Sequence, residues 1–117
     1  NPTYKIYLLH YKQKVGSVSD SFSYSFSLPA NHACFQGHFP TQPIVPGVML
    51  LSILTQFLYQ EKIRLLGFKQ VKFLAPLLPH QSCQLNIESL AHQQWRFAFL
   101  YQDNTIATGI LQGEYCA

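Results

Sequence analysis

From Gly47 the chain runs through Val48, Met49, Leu50, Leu51, Ile53, Leu54, Phe57, Leu58, Ile63, Leu65 and Leu66 with no breaker before Gly67. A stretch of about twenty residues that is apolar nearly all round as far as Tyr59 predicts a buried helix, because a helix on a surface keeps a polar face. Lys62 and Arg64 would complement the dipole of its last turn, and Gly67 would cap it. Such a helix needs a sheet to wrap it.

The rest of the chain supplies that sheet. Ser17, Ser19, Ser21, Ser23, Ser25 and Ser27 alternate with Val18, Asp20, Phe22, Tyr24, Phe26 and Leu28, which is the pattern of a half-buried strand with a wet serine face. Before it, residues Thr3–Lys12 are rich in Tyr, Ile and Leu and predict a first strand, with a turn at Gly16. Pro29, Gly37, Pro40, Pro43 and Pro46 exclude a helix or central strand between the serine strand and the helix. Four further strands are expected at 68–74, 83–90, 95–101 and 105–114, separated by turn signals at Pro76 and Pro79, His92-Gln93 and Asp103-Asn104. Two strands, one long helix and four strands predict an α+β domain, an antiparallel sheet wrapped around one central helix.

At 117 residues the expectation is one domain over 1–117. Hydrophobic residues at 48% against 11% charged exclude intrinsic disorder, and they predict that part of the apolar exterior is covered by another subunit. A net charge of +3 is far from the dense basic stripe of a nucleic-acid binder. Cys34, Cys83 and Cys116 show neither C-x-x-C nor zinc-ligand spacing, so no metal is expected and a reducing, cytoplasmic setting is. The longest uncharged apolar stretch, Pro43 to Gln60, carries two prolines, Gly47, Ser52, Thr55 and Gln56 and reads poorly as a membrane span.

The chemistry concentrates where the loop enters the helix: Phe35-Gln36-Gly37-His38-Phe39-Pro40, then Pro43-Ile44-Val45-Pro46-Gly47-Val48. This two-part motif, F-x-G-H-F-P with P-x-x-P-G-V, resembles that of the FabZ/FabA-like (3R)-hydroxyacyl-[acyl carrier protein] dehydratases of the hotdog superfamily, and in particular the ApeI-like branch acting in aryl-polyene assembly. Val71-Lys72-Phe73 to Pro79 and Ala107-Thr108-Gly109 match further segments of that family. The resemblance implies a hotdog fold and elimination of water from a 3-hydroxyacyl thioester to the trans-2-enoyl product. It further implies an acyl group carried on phosphopantetheine of acyl carrier protein or coenzyme A, no metal or redox cofactor, and a dimer in which base and acid of each site come from different subunits. His38 matches the family's base, with Gly37 and Phe39 supporting it.

The elimination needs a base for the C2 proton, a proton donor for the leaving hydroxyl, and stabilisation of charge on the thioester oxygen. The backbone N–H of Gly47 or Val48, at the positive end of the helix, is a ready oxyanion donor, and Gly47 lets a thioester approach closely. At Ser52 the family carries Glu or Asp, and a serine hydroxyl cannot protonate a leaving group at neutral pH as a carboxylic acid does. Gln56 matches a family glutamine able to orient a water but is no acid, and Glu61 lies too far along the helix to substitute. A pairing with a related dehydratase that keeps the carboxylate would complete a site. The alternatives are a non-catalytic partner subunit or acyl-binding module, and thirdly a thioesterase using Ser52 as nucleophile. His10, His32, His80 and His92 read as surface or hydrogen-bonded residues, Cys34 as a small apolar one, and Lys62, Arg64, Lys69 and Lys72 as solvated charges that could greet an acidic carrier protein.

Overall fold

The computed structural model of the chain describes residues 7–9, 21–35 and 43–116. Residues 3–6 and 10–12 of the expected first strand, and 17–20 of the serine alternation, lie outside the described residues. Strands β1 (Tyr7–Leu9), β2 (Ser21–Ser27), β3 (Ile63–Phe73), β4 (Cys83–Leu90), β5 (Gln94–Tyr101) and β6 (Asn104–Tyr115) accompany one α-helix, α1 (Gly47–Gln60). They form a six-stranded sheet in the order β1-β2-β4-β5-β6-β3, with every neighbouring pair antiparallel.

The period-two patterns decide which face meets the helix. Phe22, Tyr24 and Phe26 of β2, Leu85 and Ile87 of β4, and Trp95, Phe97 and Phe99 of β5 are buried and pack with Met49, Leu50, Ile53, Leu54, Phe57 and Leu58 of α1. The serine face stays outside, where the Ser23 hydroxyl donates to Asn86 Oδ1 at 2.7 Å and Gln84 Nε2 donates to the same oxygen at 2.9 Å. Turns fall at the expected places. His92 and Gln93 take φ of 62° and 60° between β4 and β5, and Gln102 takes φ of 54° in the two-residue turn joining Tyr101 to its partner Asn104.

Two expectations for the helix need correction. It ends at Gln60 rather than Gly67, and neither Lys62 nor Arg64 belongs to its last turn. Lys62 adopts φ of 60°, which reverses the chain, and Ile63 then pairs with Tyr115 as the first residue of β3. Ile63 points inward and Arg64 outward, so a run without breakers continues as a strand instead of further helical turns. Gly67 sits at a register shift of β3 opposite Gln112. Nor is the helix covered all round, because the sheet lies on one side only. Val48, Ser52, Thr55, Gln56, Tyr59 and Gln60 are exposed, with Val48 at 78% and Tyr59 at 81%. Leu66, Phe73 and Leu74, on and just after the sheet-edge strand β3, also expose apolar area.

The helix end is tied to β2 through Tyr24. Its ring stacks on Phe57 with centroids 4.1 Å apart, and its hydroxyl donates to the Glu61 carboxylate that closes the helix. Burial, then the hydrogen bond to Glu61 and the negative charge there, raise the Tyr24 phenol well above its ordinary pKa. The unfolded chain would ionise Tyr24 near pH 10 while the folded chain keeps it neutral. This group's stabilising contribution is therefore complete below about pH 10 and declines as pH rises beyond it. Urea midpoints measured from pH 8 to 11 should fall above pH 10 for the wild type, and that fall should be shallower in Tyr24→Phe. Equal slopes in the two proteins would refute the assignment.

Candidate active site

The entrance to α1 is built by its prolines and by one hydrogen bond to a segment distant in sequence. Residues 43–46 form no helix or strand, and Val45 N–H donates to Leu77 O at 2.8 Å, fastening this segment to the one that follows β3. Leu74 and Ala75 N–H both donate to Ile106 O, at 2.8 and 3.2 Å, which holds that second segment to β6. Pro46 is the N-cap, with φ −61° and ψ 146°, and has no N–H of its own. Its carbonyl accepts from Met49 N–H at 3.0 Å and from Leu50 N–H at 3.3 Å. The amides of Gly47 and Val48 make no hydrogen bond among the described residues and lie at the positive end of a 14-residue helix.

Beside those amides is an apolar groove of about 680 Å³, walled on one side by Ile44 to Val48 and Leu50, and on the other by Phe73 to Leu77. Two donors without a partner among the described residues, at the rim of an apolar trough, suit a ligand with one acceptor oxygen and a hydrocarbon tail. Phe73 and the segment after it were not singled out as site residues in the sequence. The one available signal was the family-like Lys72-Phe73 to Pro79 stretch, which says nothing of what the ring touches.

Gly47, Val48, Ser52 and Gln56 fall at the start and on the first turns of α1. Val48, Ser52 and Gln56, at i, i+4 and i+8, share its exposed stripe. Ser52 makes no hydrogen bond among the described residues. Glu61 is about 14 Å farther along the axis at 1.5 Å per residue and is engaged with Tyr24. Gly37, His38 and Phe39 lie outside the described residues.

The turn that leads toward them is described. His32 is 3% exposed; its N–H donates to Pro29 O at 3.0 Å, its carbonyl accepts from Phe35 N–H at 3.1 Å, and its Nδ1 accepts from Cys34 N–H at 3.0 Å. An accepting Nδ1 places the ring proton on Nε2, and burial lowers the imidazole pKa, so His32 stays neutral. It is thus the hydrogen-bonded histidine expected, seated inside the fold. His80 and His92 are exposed turn residues, and His10 lies outside the described residues. Burial pushes the Cys34 thiol up, opposite to what a nucleophile needs. Arg64 pairs with Glu114, while Lys62, Lys69 and Lys72 are exposed. Among the described residues no three His, Cys, Asp or Glu side chains gather as a metal site, and no helix is long and apolar enough to cross a membrane.

One helix held in the curl of a single antiparallel sheet is the hotdog fold, and solved structures share it. "The Dehydratase Heterocomplex ApeI:P" from Xenorhabdus doucetiae superposes with a TM-score of 0.79 at 22% identity, over 93% of this chain and 97% of that one. An uncharacterized protein from Erwinia carotovora gives 0.78 at 21% identity, over 95% and 97%. Among curated proteins, the 3-hydroxyacyl-[acyl-carrier-protein] dehydratase FabZ of Histophilus somni is 31% identical over 84 residues, 62% of this chain and 56% of the relative. That of Pseudoalteromonas translucida is 34% identical over 87 residues, covering 58% and 55%. The chain thus spans little more than half the length of these relatives. The family model for ApeI dehydratase matches residues 13–110, and the chain belongs to this ApeI-like dehydratase family.

Proposed function

We propose that the protein handles 3-hydroxyacyl thioesters carried on the phosphopantetheine of an acyl carrier protein in the cytoplasm, and that its site is built for eliminating water from them. The observation that carries this reading is the pair of amides, Gly47 and Val48, that have no partner among the described residues and line the apolar groove. The thioester oxygen accepts from one or both, so charge developing on it is met by fixed dipoles. The acyl tail lies along the apolar groove that Ile44 to Val48 and Phe73 to Leu77 line. His38 takes the C2 proton, and Gly37 and Phe39 shape its approach. Enolate character then expels the C3 hydroxyl, which leaves readily only when a group protonates it.

That proton donor is the incomplete part, since Ser52 stands where the family has a carboxylic acid. Gln56, one turn on, can orient a water toward the leaving oxygen but cannot supply an acidic proton. Because Ser52 lies on an exposed stripe, a second subunit can face it. The exposed Tyr59 of the helix, and Leu66 at the sheet edge, are apolar area that a dimer would cover. In a mixed dimer with a related dehydratase, the partner's carboxylate would serve the site holding this chain's His38, while the site containing Ser52 stays silent. A relative of the same fold is described as a heterocomplex, which supports this arrangement.

The second reading, a partner subunit or acyl-binding module without turnover of its own, is favoured by the same Ser52. A thioesterase stands third. Incubation of the pure protein with a 3-hydroxyacyl carrier thioester, with and without a related dehydratase, separates the three. Enoyl formation that grows in the mixture marks the first, free thiol release marks the thioesterase, and silence in both channels with acyl binding retained marks the module. A pure protein as active as every mixture would remove the case for a donated acid.

A further inference from the structure

We infer that Phe73 is a specificity-determining residue of the groove, screening the carbon next to the thioester carbonyl and so selecting acyl groups unbranched at C2. This rests on the reading of Gly47 and Val48 as carbonyl donors. A Cβ placed on Gly47 would stand 2.8 Å from two atoms of the Phe73 ring and 3.2 Å from a third. The ring therefore occupies the flank of the first helical turn that the absence of a side chain at Gly47 leaves open. Phe73 closes β3, whose next two residues are hydrogen-bonded to Ile106, so its backbone is fixed while its ring, at 53% exposure, borders the groove.

The consequence for a ligand follows from bond lengths. A carbonyl oxygen accepting from the Gly47 amide at about 2.9 Å brings the carbonyl carbon within about 4 Å of that nitrogen. C2 is one bond farther, in reach of the ring beside Gly47. A linear chain can pass along the ring face toward Leu74 and Leu77. A methyl branch at C2 must enter the volume the ring fills or push the ring outward. An extra methyl refused by a fitted apolar wall is worth about 10–200-fold in discrimination.

The test compares linear and 2-methyl 3-hydroxyacyl pantetheine thioesters in wild type, Phe73→Leu and Phe73→Ala, with the related dehydratase present. The corresponding non-hydrolysable amides are titrated by calorimetry in the same proteins, so that binding is read even without turnover. Wild type should prefer the linear compound by one to two orders of magnitude, Phe73→Leu should narrow that preference, and Phe73→Ala should bring the two compounds near parity. Thermal midpoints close to wild type would show that both variants fold, as expected for a half-exposed ring. A linear compound that binds with its preference unchanged in both variants overturns the assignment to Phe73 alone. A wild type that binds neither amide overturns the reading of the groove itself.

Discussion

Ser52→Glu should raise the dehydration rate of the isolated protein by about 10²–10⁴-fold, the usual worth of a positioned general acid. Ser52 is exposed on the same helix stripe as Val48, one turn beyond the Gly47 and Val48 amides, so a glutamate enters without displacing a neighbour among the described residues. Ser52→Gln is the control, since it matches glutamate in size and hydrogen-bonding reach but carries no acidic proton. Single-turnover enoyl formation from a 3-hydroxyacyl carrier thioester should rise for the glutamate variant only. Equal rates in the two variants would mean that the missing acid is not what limits this chain. If the wild type matches Ser52→Glu, another group already supplies the proton.

Phe57→Ala should cost about 3–5 kcal/mol of folding stability, a large share of the roughly 5–15 kcal/mol that holds a domain together. The ring is 2% exposed, stacks on Tyr24, and lies 6.3 Å from the ring of Phe26. Its loss opens a cavity where α1 meets β2 and loosens the Tyr24 ring whose hydroxyl holds Glu61 at the helix end. Urea unfolding should show a lower midpoint with an unchanged slope. Gln60→Ala, exposed on the outer side of the same helix, should stay within about 0.5 kcal/mol of wild type. If Phe57→Ala also falls within that margin, the helix is not the centre of the core.

What could be read in the sequence was whatever repeats locally. The serine alternation named Phe22, Tyr24 and Phe26 as the buried side of β2, and the His92-Gln93 and Asp103-Asn104 signals fell at observed turns. The helix end was misread because Ile63, Leu65 and Leu66 suit a helix and a strand alike. The reversal is made by a left-handed Lys62, a residue type that gives no warning of it. The exposed stripe was missed for a related reason, since Val48 and Tyr59 are apolar or aromatic in sequence and only the one-sided sheet leaves them uncovered. Of the candidate site, Gly47, Val48, Ser52 and Gln56 could be named because a motif precedes the helix. Phe73 could not, because it meets Gly47 through folding across 26 positions, and no local pattern records such a contact.

The most direct measurement of the central claim leaves the acid out of consideration. When a 3-hydroxyacyl pantetheine thioester is incubated with the protein in D₂O, the proposed base His38, with the carbonyl held by the Gly47 and Val48 amides, should exchange the C2 hydrogens for deuterium even where the hydroxyl cannot leave. Mass spectrometry should show recovered substrate gaining deuterium with wild type and not with His38→Ala. Deuterium uptake no faster than in buffer, or uptake undiminished in His38→Ala, would contradict the account.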